Sequence, residues 1–281
     1  HSIARRQRQM CIRDRVYSQK NDMQNVLTKI SGEAKFELLI FLVLALIPLV
    51  FSGYILFILP QYMLFGLLAV SLSILWGLTG IISFGQAGFF AIGAYAIGIV
   101  VKSTFLMNSA TLGILLGIIV SAVIAGVVGY FLFSAKVKAT YFVLATLALS
   151  IIIEQLAKSQ KEITGGWNGL FVDRISISFG NLLEYSLFND IPMYYFTLLL
   201  TTIAYALIKF LTTSNFGKIL RGIRENEDRI LALGYNTSIY KTLIFCVSGA
   251  LAGFAGSIYG THAGFVDPSL ARVLFLSLIH I

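Results

Sequence analysis

Long apolar runs recur along the chain, and short polar segments separate them. Each run holds roughly 20 residues, which is enough for a helix to cross the hydrocarbon core of a membrane. The first run is too long for a signal peptide and lacks a small-residue cleavage site, so we interpret it as a retained span. The pattern predicts an all-α fold, a polytopic transmembrane helical bundle with about seven visible spans. The predicted spans are about 36–59, 61–82, 86–106, 110–134, 139–157, 191–211 and 241–262.

The composition agrees with a membrane protein, since 57% of the residues are hydrophobic and only 12% are charged. A soluble domain typically carries about twice that share of charge. The formal net charge of +8 does not favour nucleic-acid binding, because no basic module stands apart from the spans. Basic residues instead collect in the segment 16–35, in the turn after the fourth span and in the loop 212–240. The positive-inside rule predicts that these regions, and with them the N-terminus, are cytoplasmic.

The two ends of the chain, residues 1–15 and 276–281, match nothing in the rest of the sequence. Leu276–Ile281 can be back-translated as CTG TCT CTT ATA CAC ATC. The reverse complement of that string, in another frame, encodes Met10–Asp14, so one short oligonucleotide accounts for both ends. Coincidence is the alternative, because codons are degenerate. We therefore expect both tails to be non-native, with a cytoplasmic segment at 16–35 and a transmembrane domain at 36–275.

The loop 212–240 between the last two predicted spans is patterned as an amphipathic helix. Its apolar residues recur at helical spacing, and its charged residues fall mostly on the other side. Asn215 is the predicted N-cap and Gly234 the predicted C-terminal stop. The predicted i,i+4 ion pairs are Arg221–Glu225, Arg224–Asp228 and Glu225–Arg229. Its acidic residues disfavour the alternative of a helix on anionic lipid, so the loop is predicted to meet a soluble protein.

The segment 78–95, LTGIISFGQAGFFAIGAY, is the candidate for a substrate pathway. Its glycines weaken a helix and free backbone groups, which is tolerated at membrane depth only inside protein or beside a water-filled cavity. A broken helix there can offer N–H groups to a carboxylate. The alternative is close helix packing through small residues, which we prefer for Gly249, Gly253 and Ser257. The candidate pathway residues are Ser83, Phe84, Gly85, Gln86, Gly88, Phe89 and Tyr95.

Signals for other chemistry are weak. No Walker phosphate loop occurs, so the chain is not predicted to be an enzyme that binds ATP itself. Cys11 and Cys246 are not expected to pair, and no Cys/His cluster has metal spacing, so neither a metal nor a cofactor is predicted. Lys102, Glu154 and Lys209 lie near predicted span ends and are expected to snorkel. That leaves no central ionisable residue for proton coupling.

The segment 158–190 falls on the opposite face from the basic loops and carries mixed charge. A loop of this length without clear structure is uncommon and often functional. It is interpreted either as a contact for a soluble partner on the outer side or as a plain solvated connector.

Several motifs together resemble the membrane subunits of ABC importers for branched-chain amino acids. They are, in chain order, LTGIISFGQAGFFAIGAYA, ATYFVLATLALSIIIEQL, EITGGWNGL, GKILRGIRENEDRILALGYNTSIYK and SGALAGFAGSIYGTHAGFVDPS. The resemblance extends from about Phe36 to Ala271 and is closer to the permease whose long outer segment contains ITGG-x-NG. It implies a fold of many transmembrane helices, in which 36–275 is the permease domain and the last spans are missing.

The resemblance also implies a multi-pass permease of a bacterial or archaeal cytoplasmic (inner) membrane. The implied partners are a sister permease subunit, two cytosolic ATP-binding subunits and an extracytoplasmic solute-binding protein. The implied cargo is a branched-chain amino acid, with urea and short amides as alternatives. The positions that match the family's ATPase-coupling loop are Gly217, Arg221, Arg224, Glu225, Asn226 and Gly234. Ser83, Phe84, Gly85, Phe89 and Tyr95 match its segment near the translocation path, whereas Gln86 stands where many members have histidine.

Two other functions remain open at this point. A stand-alone secondary carrier or channel for a small polar solute is disfavoured by the charged loop and by the shortage of central ionisable residues. A membrane scaffold without transport leaves the glycine-broken segment unexplained.

Overall fold

The computed structural model describes residues 37, 39–51, 53–102, 110–172, 176–178, 184–186 and 190–272. The predicted tails 1–15 and 276–281 and the segment 16–35 lie outside the described residues. The chain divides into two compact units, residues 1–51 and residues 52–281. In the first unit, helix α1 covers Leu39–Val50.

The second unit is built mainly from helices. In chain order they are α2 (Tyr54–Thr79), α3 (Gln86–Lys102), α4 (Ala110–Ser134), α5 (Ala139–Ser159), α6 (Lys161–Thr164), α7 (Asp190–Thr213), α8 (Asn215–Glu225), α9 (Glu227–Ala232) and α10 (Thr237–Ala263). Five of the described helices, α2, α4, α5, α7 and α10, are long and apolar enough to cross a membrane, while α1 and α3 are shorter apolar helices. The predicted all-α polytopic membrane bundle is confirmed.

One predicted boundary is wrong. The sequence pattern places the junction of the first two spans at about residue 60, but α2 continues through Pro60. The chain instead turns at Gly53, which has a φ of 71°. Glycine adopts this left-handed conformation readily because it has no Cβ atom. Proline inside a membrane helix is tolerated because neighbouring groups satisfy the carbonyl that it frees.

The centre of the second unit is α10, which packs against α2, α3 and α4. Glycine makes this packing close. A Cβ atom added to Gly93 would lie 1.9 Å from the carbonyl oxygen of Gly253, and one added to Gly256 would lie 1.9 Å from that of Phe90. Small residues at helix crossings allow this approach of backbones in membranes. The packing interpretation of the glycines in α10 therefore matches the structure.

Two ends of the bundle can be distinguished. At one end, the α4–α5 turn meets the start of α10, since Ser238 Oγ donates to the Phe133 carbonyl at 3.0 Å. At the other, β1 (Leu170–Phe171) pairs antiparallel with β4 (Phe265–Val266). The first is called the α8 end below, and the second the β1–β4 end. Strands β2 (Ser176–Ser178) and β3 (Glu184–Ser186) form a separate antiparallel pair, and 3₁₀ turns cover Gly166–Asn168 and Pro268–Ala271.

Candidate functional site

A break in the helical backbone separates α2 from α3 at residues 80–85. Gly80 ends α2 with a φ of 73°. Hydroxyl groups of α5 hold the break in place: the Phe84 amide donates to Thr146 Oγ1 at 3.2 Å, and Ser150 Oγ donates to the Phe84 carbonyl at 2.9 Å. Both backbone groups of Phe84 at the break are thus satisfied inside the protein, as membrane depth requires.

A buried polar seam lies beside this break and joins three helices. Gln86 Nε2 donates to Ser248 Oγ at 2.8 Å, and Ser248 Oγ donates to the Ser71 carbonyl at 2.6 Å. Ser71 Oγ lies 3.4 Å from Gln86 Oε1. All three side chains are fully buried, so the seam ties α2, α3 and α10 together through polar contacts.

The candidate pathway residues fall in two places. Ser83, Gly85, Gln86, Gly88 and Phe89 are buried at the break or in the first turn of α3, with half-buried Phe84 between them. Tyr95 lies about two turns further along α3. Gly88 is a packing position, because an added Cβ atom would lie 2.7 Å from Ile153 Cδ1 of α5. The predicted helix break therefore exists, but Gly88 and Gly93 lie inside a continuous helix.

Helix α8 begins after a different cap from the predicted one. Ser214 is the N-cap, and its Oγ accepts from the Gly217 amide at 3.4 Å, whereas Asn215 is the first helical residue. The N-cap prediction for Asn215 is wrong because the helix begins one residue earlier than the pattern suggests. Residue 217 needs to be glycine, because a Cβ atom added there would lie only 2.4 Å from the Thr212 carbonyl oxygen.

The charged loop contains two helices rather than one. Helix α8 ends at Glu225, and Asn226 starts α9 as its N-cap, with Oδ1 accepting from the Arg229 amide at 2.9 Å. Gly234 has a φ of 88° in the turn that follows α9, in keeping with its predicted role as a stop.

The arginines of α8 bind backbone carbonyls instead of the predicted carboxylates. Arg221 Nη2 donates to the Thr212 carbonyl at 2.8 Å, and Arg224 Nη1 donates to the Gly77 carbonyl at 2.7 Å. The three predicted i,i+4 ion pairs are not among those formed in the described residues. An added Cβ atom at Gly80 would lie 3.3 Å from Arg224 Cγ. Arg224 thus fastens α8 to the end of α2, three residues before the helix break.

The surface of α8 and α9 combines charged and apolar side chains. Leu220 and Ile223 are buried, while Arg224 and Glu225 are exposed. Three apolar side chains that follow are also exposed: Leu231 (40%), Leu233 (67%) and Tyr235 (41%). These three exposed apolar residues were not predicted from the sequence. Their position directly after the charged residues of α8 and α9 could have indicated them.

Helix α9 is fastened to α10 by an ion pair. Lys241 Nζ lies 2.6 Å from Glu227 Oε2. Partial burial by itself would raise the pKa of the Glu227 carboxyl, but the hydrogen bond and charge of Lys241 hold that pKa below its ordinary value. A cavity of about 190 Å³ beside the pair is lined by Phe133, Lys136, Val137, Glu227, Asp228, Leu231 and Lys241.

A second ion-paired cluster lies at the β1–β4 end. Glu154 is 7% exposed and its Oε1 lies 2.5 Å from Lys158 Nζ and 2.8 Å from Arg272 Nε. Lys158 Nζ also lies 4.4 Å from the centre of the Trp167 ring. The prediction that Glu154 snorkels is wrong, because two cations brought together by the fold compensate its charge where it is buried. In the described part of the chain, no group of His, Cys, Asp and Glu is placed to hold a metal ion.

The helix break, the buried seam beside it and the charged helix α8 fastened to the end of α2 all belong to one membrane bundle. The sequence model of the family described as "branched-chain amino acid transport system / permease component" matches residues 54–281, which include all of these elements. The chain belongs to this family. The family resemblance expected from its motifs is confirmed, and the long apolar helices agree with a multi-pass membrane protein.

Relatives in this family carry consistent names. The chain is 28% identical over 229 residues to the high-affinity branched-chain amino acid transport system permease protein LivM of Escherichia coli, covering 73% of this chain and 52% of that protein. The Salmonella typhimurium protein of the same name gives the same identity and coverage. A probable branched-chain amino acid transport permease protein LivM of Methanocaldococcus jannaschii is 24% identical over 228 residues, covering 71% of this chain and 65% of that protein.

The chain spans about half the length of the Escherichia coli and Salmonella typhimurium relatives. No solved structure matches it.

Proposed function

We propose that the chain is the membrane-spanning permease subunit of an ABC importer that carries branched-chain amino acids inward across the cytoplasmic membrane. Family membership and the printed names of the relatives support this function. The observation that carries the proposal is the 2.7 Å hydrogen bond from Arg224 to the Gly77 carbonyl. It links a charged surface helix to the end of α2, three residues before the helix break.

Surfaces that the fold presents support the proposed partners. Two cytosolic ATP-binding subunits would power transport, one of them docking on α8 and α9. The exposed Leu231, Leu233 and Tyr235 beside exposed charges suit a soluble protein surface, in which apolar anchors are surrounded by polar contacts. A sister permease subunit and an extracytoplasmic solute-binding protein complete the assembly. The α8 end, with the N-terminus, would then be cytoplasmic.

Coupling in this proposal is mechanical. A docked ATPase that moves α8 pulls on Gly77 through the Arg224 guanidinium, and Gly80 allows α2 to pivot there because of its left-handed backbone. The loop 80–85 and the polar seam at Gln86 would move with it. The candidate pathway residues Ser83, Phe84, Gly85, Gln86 and Phe89 would thereby change their exposure to each side of the membrane, as alternating access requires.

Docking of the ATPase tests this proposal. The double variant Arg224→Ala, Glu225→Ala is expected to lower the amount of co-purified ATP-binding subunit by about tenfold, because it removes two exposed charges from the proposed docking surface. Lys161→Ala, which changes an exposed residue at the β1–β4 end, is the matched control. Membrane insertion should be unchanged in both variants. Undiminished ATPase binding by the double variant would contradict the proposed docking surface.

A further inference from the structure

A buried hydroxyl at the middle of α3 lacks a hydrogen-bond partner. Tyr95 is 6% exposed, and its Oη is the one buried side-chain polar atom that stays unpaired within the part of the chain that the structure describes. An unpaired buried hydroxyl destabilises a fold, so each such group in a native protein calls for an explanation. Binding of a ligand atom would supply the missing partner.

A carboxylate begins a turn that packs against the same helix. Asp267 is half-buried and begins the 3₁₀ turn Pro268–Ala271, where its Oδ1 accepts from the Ser269 amide. This turn packs against α3, the helix that carries Tyr95. Among the described residues, no cation forms a salt bridge with Asp267. The carboxylate therefore retains capacity for a positively charged group.

Aromatic rings complete the surroundings. The Tyr259 ring centre lies 5.4 Å from that of Phe65 and 5.3 Å from that of Phe90. Close approach of α10 to α3 at Gly256 and Gly260 sets Tyr259 against the helix that carries Tyr95. Ring faces attract cations, and the same rings offer an apolar surface to a hydrocarbon side chain.

We propose that Tyr95, Tyr259 and Asp267 form a subsite for the primary ammonium group of the substrate, in the half of the bundle towards the β1–β4 end. A carboxylate, a hydroxyl oxygen and aromatic faces all favour a cation over a neutral amide or an anion. Phe65 and Phe90 take the apolar side chain. This inference rests on the proposed function, since it assigns the amino group of the cargo, and it disfavours urea and short amides.

Two conservative variants test the subsite. Asp267→Asn keeps a residue that caps well, so the 3₁₀ turn should survive. Tyr95→Phe removes only the unpaired hydroxyl and should by itself raise the Tm of the protein in detergent. Tyr130→Phe, an exposed tyrosine of α4, is the matched control. The assembled full-length permease is titrated with leucine, with isoamylamine, which lacks the carboxylate, and with isovalerate, which lacks the ammonium group.

The readout is the rise in Tm that a bound ligand causes. Leucine and isoamylamine should raise the Tm of the wild type, and isovalerate should not. Asp267→Asn should increase the half-saturating leucine concentration by about tenfold or more. Tyr95→Phe should weaken the response while raising the ligand-free Tm, a combination that a purely structural role does not give. Variants that respond as the wild type does, or a wild type that ignores isoamylamine, would overturn the subsite.

The proposed function is measured separately, as ATP-dependent leucine uptake by the wild-type importer in proteoliposomes. Absent uptake together with a Tm response to isoamylamine that Asp267→Asn abolishes would reject the function and keep the subsite. Normal uptake with unaltered variants would keep the function and reject the subsite.

Discussion

Gly93 shows that a single residue can determine how closely two helices of this bundle pack. The carbonyl oxygen of Gly253 would lie 1.9 Å from an added Cβ atom, so any side chain at residue 93 forces α3 and α10 apart. Overpacking of this kind typically costs about 1–3 kcal/mol. In a bundle whose centre is α10, that separation also disturbs the neighbouring buried contacts.

Gly93→Ala is therefore expected to lower the free energy of unfolding by about 2 kcal/mol, and the Tm in detergent with it. Gly66→Ala is the matched control, because nothing lies within 4 Å of a Cβ atom added at that α2 position. The control should be neutral or slightly stabilising, since alanine favours a helix over glycine. Equal Tm values for the two variants would show that the α3–α10 contact is less close than described.

Some residue contacts were predictable from the sequence and others were not. Spacing of glycines in α10 predicted close packing because the signal is local and periodic. Ser71 and Ser248 gave no such signal, since each lies in an apolar run and 177 positions separate them. Their bond to each other and to Gln86 exists only once three helices have packed. Arg221 and Arg224 likewise have carboxylates nearby in the sequence, but in the fold they donate hydrogen bonds to backbone carbonyl oxygens.

At the scale of elements, the charged loop depends on Asn226, which separates α8 from α9. Its side chain accepts from the Arg229 amide at 2.9 Å, and losing an N-cap costs about 1 kcal/mol. Asn226→Ala should speed amide hydrogen exchange in α9. Asn236→Ala is the matched control, because Asn236 precedes α10 without a side-chain capping bond. Similar changes in exchange for both variants would contradict the capping role.

The ion pair between Glu227 and Lys241 gives α9 a pH dependence. The depressed pKa of Glu227 means that its ionised form stabilises the fold above the unfolded-state value of about 4.3. This stabilisation is lost as the pH falls through the lower folded-state pKa. Glu227→Gln should therefore lower the Tm at pH 7 and lose that effect in more acidic solution. Glu225→Gln, which changes an exposed residue of α8, should differ little from wild type at either pH.

Element boundaries were predictable where the chain supplies its own signal. The helix break after α2 follows from the glycines of the segment 78–95, and the long helices follow from the apolar runs. The predicted boundary near Pro60 was wrong because a proline ends a helix in a soluble protein more readily than a membrane helix. The pairing of β1 with β4 joins two-residue strands about a hundred positions apart, and no local pattern encodes it.

Across the whole molecule, a charged surface at the α8 end is connected to the helix that precedes the buried break and seam. Arg224 makes that connection, and the cluster of Glu154, Lys158 and Arg272 secures α5 at the β1–β4 end. Hydrophobic periodicity was sufficient to predict a membrane bundle, and local motifs were sufficient to indicate the family. The contacts between the coupling helices and the break required the fold.

The most direct test of the central claim is leucine uptake into proteoliposomes that contain the full-length permease, its sister permease, the ATP-binding subunits and the solute-binding protein. Uptake is expected to require ATP and every component, and to fall sharply with the Arg224→Ala, Glu225→Ala variant. Uptake by the permease without any ATP-binding subunit would contradict it and indicate a stand-alone carrier.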